Sequence, residues 1–219
     1  MKTNEELQND VQAALKWQPL LHAAEIGVTA KGGIVTLSGT VDTYAKKAEA
    51  EDAAKNVVGV QAVVEKIDIQ FGTKGRKEDS EIATDVVNAF RYSWEIPNDK
   101  IKVMVENGWV SLHGELEWNC AKEAAKKAVH NVAGVKGITN DIIVKSHGND
   151  LLEKENVENA IIRNGAIDDE DITVGVSGNK VTLMGTAYSL SQKEEASRIA
   201  WNAPGVWEVD NQLLVGYDD

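Results

Sequence analysis

Two stretches of alternating apolar and polar residues, separated by a short glycine-bearing turn, sit between two segments of helical periodicity. Ile26-Gly27-Val28-Thr29-Ala30 and Val35-Thr36-Leu37-Ser38-Gly39-Thr40-Val41 alternate with period two, as half-buried strands do. Lys31-Gly32-Gly33 lies between them and supplies the positive backbone dihedrals a hairpin turn needs. Ahead of the hairpin, Leu7, Val11, Ala14 and Leu15 recur at helical spacing. Thr3-Asn4-Glu5-Glu6 reads as a capping box at the start of that helix, and Pro19 as part of its end. Behind the hairpin, Thr43–Val57 reads as a second helix with Ala50, Ala53 and Ala54 on its inner face, ended by Gly59. Val63–Ile69 reads as a closing strand.

The whole pattern occurs three times. Val110-Ser111-Leu112-His113-Gly114-Glu115-Leu116 repeats the second strand 75 positions on, and Val181-Thr182-Leu183-Met184-Gly185-Thr186-Ala187 follows after a further 71. The same offsets link Ile26, Ile101 and Ile172, and also Gly59, Gly134 and Gly205. Marks at shared offsets define a tandem repeat. The second helix recurs over Trp118–Val132 and Ser189–Ala203, the latter opening on a Ser189–Gln192 capping box. Pro97 is read as helping to end the first helix of the second copy. Closing strands are expected over Ile138–Val144 and Val209–Val215. The repeats are placed at 1–71, 78–146 and 149–217, joined by the polar bridges Gly72–Asp79 and Ser146–Asn149.

The order helix-strand-strand-helix-strand predicts an α+β chain of three tandem αββαβ two-layer sandwiches. Each has a three-stranded mixed sheet with two helices on one face. The last strand should run parallel to the second through a right-handed crossover. Val35 and Leu37 then face the helices, while Thr36 and Ser38 face away. Gly39, Gly114 and Gly185 fall on the apolar side, where glycine lets a helix backbone approach or marks a bulge. The open sheet face is polar in the first repeat, at Thr36, Ser38 and Lys66. It carries Met104, Ile143, Met184 and Leu214 in the others, a pattern that predicts packing between repeats or onto a partner.

Near this point the repeat resembles the BON domain family (bacterial OsmY and nodulation). The resemblance rests on the V-x-L-x-G strand, the glycine-valine mark after the second helix, and a closing V-x-N-x-L-x-V strand. That last pattern stands as Val209-Asp210-Asn211-Gln212-Leu213-Leu214-Val215. The second repeat keeps Asn140, while the first has Glu65 there. The resemblance covers nearly the whole chain. It implies a non-enzymatic module tied to phospholipid membranes, envelope integrity and osmotic stress, and most carriers of the domain are exported.

Charge and composition narrow the partners. The net charge is −12, of which residues 148–219 carry −9. An acidic chain without a basic stripe argues against nucleic acid and against purely electrostatic attachment to anionic lipid. No apolar run predicts a transmembrane segment. The first ten residues show no apolar signal region, so the sequence as written is expected to be cytoplasmic, or periplasmic if a leader was removed. One cysteine, Cys120, excludes an intramolecular disulfide and is expected as a small packed helix residue.

The histidines His22, His113, His130 and His147 show no metal-ligand spacing on one helix, and no cofactor or catalytic motif is expected. Asp168-Asp169-Glu170-Asp171 is a weak candidate cation site; it lacks the alternating ligands and central glycine of a calcium loop, and a solvated acidic loop explains it as well. Aromatic residues give the stronger lead. Trp17 and Tyr92 share one repeat position after the first helix, preceded by Lys16 and Arg91, with Trp94 nearby. Aromatic tips beside basic residues suit a lipid head-group interface. The competing explanation is that the rings cover the bottom of a small core or cement neighbouring repeats. Arg163 holds that position in the third repeat. The expected function is a non-catalytic phospholipid-associating protein of an envelope or osmotic stress response. The alternatives are a cytoplasmic sensor of potassium, a divalent cation or a small ligand, and a scaffold for a protein partner.

Overall fold

Thr3 starts the first helix as expected. Its hydroxyl accepts the Glu6 amide at 3.2 Å, and the Glu6 carboxylate accepts the Thr3 amide at 2.8 Å. The Thr3 amide, and then its hydroxyl, hold the Glu6 carboxyl below its ordinary pKa. A computed structural model describes residues 2–21, 26–72, 75–145, 154–163, 172–203 and 205–216.

In the first repeat α1 (Asn4–Lys16), β1 (Ile26–Lys31), β2 (Ile34–Val41), α2 (Tyr44–Lys55) and β3 (Ala62–Ile69) follow the expected order. The second has α3 (Asp79–Arg91), β4 (Ile101–Glu106), β5 (Trp109–Leu116), α4 (Asn119–His130) and β6 (Gly137–Val144). The third has α5 (Lys154–Ile162), β7 (Ile172–Ser177), β8 (Lys180–Ala187), α6 (Leu190–Trp201), β9 (Glu208–Asn211) and β10 (Leu214–Val215). Each repeat is a mixed α+β sheet whose second strand is central. The first two strands pair antiparallel in all three. The last pairs parallel to the second in the second and third repeats.

Equivalent hydrogen bonds clamp the closing strand at both ends. Near its start, Gln61, Lys136 and Trp207 donate their amides to the turn carbonyls of Gly33, Gly108 and Asn179, at 2.8–2.9 Å. Past its end, Gln70, Lys145 and Gly216 donate to Val41, Leu116 and Ala187. Since both ends meet matching ends of the central strand, the first repeat's closing strand runs the same way. The hairpin turn is also pinned to the first helix. Asn4 accepts the Gly32 amide at 2.8 Å, and Asp79 accepts the amides of Asn107 and Gly108 at 2.7 and 2.8 Å.

Burial follows the period. Leu37, Leu112 and Leu183 are fully buried with Val35, Val110 and Val181, and Leu7, Val11, Leu15, Ile82, Val86 and Phe90 pack from the first helices. Each fully buried leucine removes apolar area worth roughly 1.5–3 kcal/mol. Val60, Val135 and Val206, after the second helix, are also buried.

Several expectations need correction. The second helices are shorter than read, and Gly59, Gly134 and Gly205 lie in the turn beyond them at φ +91°, +91° and +85°. They reverse the chain toward the buried valine and do not cap the last helical turn. At Gly134 a Cβ would meet Ile82 Cδ1 at 2.9 Å, so the glycine also admits α3. At Gly114 the close neighbour is a strand: a Cβ would lie 2.2 Å from the Lys100 carbonyl oxygen. Pro97 stands well past α3 and leads a 3-10 turn at Asn98–Lys100, so it does not end that helix. The Gln192 side-chain oxygen accepts the Tyr188 amide at 2.6 Å instead of the Ser189 amide, leaving the Ser189 box half made. The third closing strand breaks at Gln212-Leu213, where the Asn211 side chain accepts the Leu213 amide at 3.2 Å. Cys120 is exposed, not packed.

By compactness the chain divides into two units. One comprises 1–39, 49–66 and 148–219, the other 40–48 and 67–147. In the first, Lys55 pairs with Glu194; in the second, Tyr44 packs edge-on against His130 at 5.2 Å between ring centres.

Candidate functional site

The end of the first helix builds the candidate site in two repeats. Trp17 and Tyr92 are the C-terminal caps of α1 and α3. The Trp17 amide donates back to Ala13 and Ala14, and the Tyr92 amide to Asn88. These bonds fix each backbone while the ring points outward, because a later apolar residue four positions on does the core's work. Leu21 and Ile96 hold one repeat position and are both buried. Trp17 is 85% exposed, Tyr92 86% and Trp94 92%. The reading of these rings as cover for the core is therefore overturned.

Lys16 and Arg91 close the last turns of α1 and α3, where a cation meets the negative end of the helix dipole, and both side chains are exposed. Lys16 and Trp17 thus form one exposed basic-aromatic pair in their unit, and Arg91, Tyr92 and Trp94 form an exposed cluster in theirs. Leu20 adds an exposed apolar side chain beside Trp17. In the third repeat, exposed Ile162 stands at the Lys16 position and exposed Arg163 at the Trp17 position, so an apolar-basic pair persists in reversed order. Sequence reading passed over Leu20 and Ile162. The signal was there: an aliphatic residue out of phase with the helix's buried stripe.

Met104, Ile143, Met184 and Leu214 are exposed on the open sheet faces. Ile34 and Val64 are exposed as well, which makes the first repeat's face less polar than expected. Trp109, about half exposed, lies over Gly137, its cross-strand partner, and its indole donates to Thr139 at 2.8 Å.

His113 lies 3.7 Å from Asp141 on the second sheet, and His130 sits at the end of α4. Among the described residues no three potential metal ligands converge. Asp168, Asp169, Glu170 and Asp171 lie outside the described residues, as do His22 and His147. No helix among the described residues is long and apolar enough to cross a membrane.

The BON domain family model matches residues 3–70, 78–146 and 150–217. The chain belongs to the BON domain family. Among curated proteins, this BON protein is 29% identical over 139 residues to osmotically-inducible protein Y of Escherichia coli (strain K12), covering 62% of this chain and 69% of that protein. Among solved structures it matches the C-terminal domain of CdsD, a structural protein of the type III secretion system of Chlamydia trachomatis. Identity is 14%, with 99% of this chain and 100% of that one covered. A second CdsD structure matches at 13% identity over 96% and 92% of the two chains. Both have a TM-score of 0.27, too low to carry an argument.

Proposed function

We propose that this BON protein is a non-catalytic binding protein of an osmotic stress response that associates with phospholipid surfaces. Contact is made through Trp17 with Lys16, and through Tyr92 and Trp94 with Arg91. The carrying observation is the near-complete exposure of three aromatic rings, two of them next in sequence to a cation, in place of the core burial that large rings favour. Indole and phenol rings partition into the head-group region, where the apolar body and polar edge are both satisfied. The cations then meet phosphate while the ring inserts. The similarity to an osmotically inducible protein supports the stress setting.

Co-sedimentation with phospholipid vesicles tests the reading. The unaltered chain should sediment with vesicles, and the double variant Trp17→Ala, Tyr92→Ala should sediment less while keeping its melting temperature. Absence of sedimentation with both zwitterionic and anionic vesicles would overturn it.

A further inference from the structure

Trp109 opens β5, and its indole rests flat on the open face of the second sheet. Gly137, its cross-strand partner on β6, has no side chain, and a Cβ there would collide with the six-membered ring. The indole nitrogen donates to the Thr139 hydroxyl at 2.8 Å. The ring is thus held from below and at its edge, while the residue stays 49% exposed. A tryptophan over a cross-strand glycine also steadies a sheet. That accounts for the covered face of the ring and leaves the open one without a role. The seat belongs to the second repeat alone: the first has Ile34, Ala62 and Val64 at these positions, and the third has Lys180 bridged to Glu208 and Asp210.

The rungs that follow on the same face are polar. Ser111 pairs with Thr139, and His113 with Asp141, whose carboxylate lies 3.7 Å from the imidazole Nδ1. From Trp109 to His113 the platform runs about 13 Å along β5, room for more than one sugar ring. Thr139 accepts from the indole and still has its own hydroxyl hydrogen to give. Charges of both signs share the face: Glu106 stands opposite Trp109 on β4, and Lys145 is bonded to Glu115 at 2.6 Å.

We infer that these three rungs form a binding platform for a neutral, β-linked glycan. One sugar ring stacks on Trp109, and its hydroxyls are hydrogen-bonded by Ser111, Thr139 and the His113–Asp141 pair. The axial C–H groups of a β-linked pyranose lie in one plane and carry partial positive charge, which suits the negative face of an indole. A β-1,4 linkage keeps the chain extended, as a row of rungs along one strand requires. A polyanion would instead meet Glu106 beside the ring and Asp141 two rungs on. The platform shares no residue with the lipid contact proposed above and does not depend on it.

NMR of the full, nitrogen-15-labelled chain tests this with soluble cellotetraose and chitotetraose as probes and α-linked maltotetraose as the comparison. Either β-linked probe should shift the Trp109 indole and the Ser111 and Thr139 amides saturably at millimolar concentration. The Trp17 and Trp94 indoles should stay in place. Maltotetraose, whose linkage curves the chain, should shift the platform severalfold less. Trp109→Lys takes the residue that the third repeat carries at this position, and it should weaken binding by more than about tenfold. If that variant melts below the parent, the parent's own shift map decides. No shift with either β-linked probe overturns the proposal, as do shifts confined to residues off this face and equal shifts from maltotetraose. So does a Trp109→Lys chain that melts with the parent and binds as the parent does.

Discussion

Ile101 and Gly114 face each other across β4 and β5, and the same pairing joins Ile26 to Gly39 and Ile172 to Gly185. Two marks that recur independently along the sequence are thus one contact in space. At Gly114 the backbone sits at φ +156° with the Lys100 carbonyl where a side chain would begin. Gly114→Ala should cost on the order of 2–4 kcal/mol from strain and overpacking together. Urea denaturation of the variant checks this, and a loss under about 0.5 kcal/mol would show that the strand edge yields freely.

Asn211 does the work of two backbone groups. Its amide donates to the Lys193 carbonyl at 2.7 Å and its oxygen accepts the Leu213 amide, while Asn140 repeats both contacts with Lys122 and Ile142. Asn211→Ala should destabilise by about 1–2 kcal/mol, since partly buried groups lose their partners. In the first repeat, where Glu65 stands instead, Lys47 reaches the Ile67 carbonyl, as Lys193 reaches Leu213. Thermal melting of Asn140→Ala and Asn211→Ala should give losses of similar size.

Glu6 should titrate below an ordinary glutamate, because Thr3 hydrogen-bonds its charged form. A depressed folded pKa gives stability that is present above the unfolded value and lost as pH falls through the folded one. Carboxyl NMR titration should show the low value, and Thr3→Ala should raise it toward the ordinary range. Fraying of the first turn of α1 should follow acidification in the parent chain.

Leu20 is exposed and contributes nothing to the core. If the loop after α1 meets lipid, Leu20→Ser should weaken vesicle sedimentation while leaving the melting temperature within about 1 °C. A variant that sediments like the parent would leave Lys16 and Trp17 as the first repeat's whole contribution to the contact.

The fold was legible because period-two alternation and glycine turns are local signals, and tripling them fixed the register. Helix ends were less legible. The residues beyond Lys55, His130 and Trp201 keep a helical spacing, yet the chain must turn early enough for Val60, Val135 and Val206 to enter the core. Pro97 misled for a related reason, since five residues of loop separate it from α3. The role of the strand glycines was half visible: close approach was expected, but from a helix, and only the cross-strand register shows the strand backbone beside Gly114. For the candidate site, composition could place Trp17 and Tyr92 together in the repeat. It could not say whether the rings turn in or out, because that depends on Leu21 and Ile96 filling the core first.

The clamp from Asp79 onto the β4–β5 turn bears on how this protein ages. Asn107 followed by Gly108 is a pair prone to deamidation, in which the glycine nitrogen attacks the asparagine side-chain carbonyl carbon and expels ammonia to close a succinimide ring. Here that nitrogen's hydrogen is held by the Asp79 carboxylate at 2.8 Å, and Asn107 is fixed at φ +52°. The attack must first break this bond, so stored protein should keep its asparagine longer than a free peptide of the same sequence.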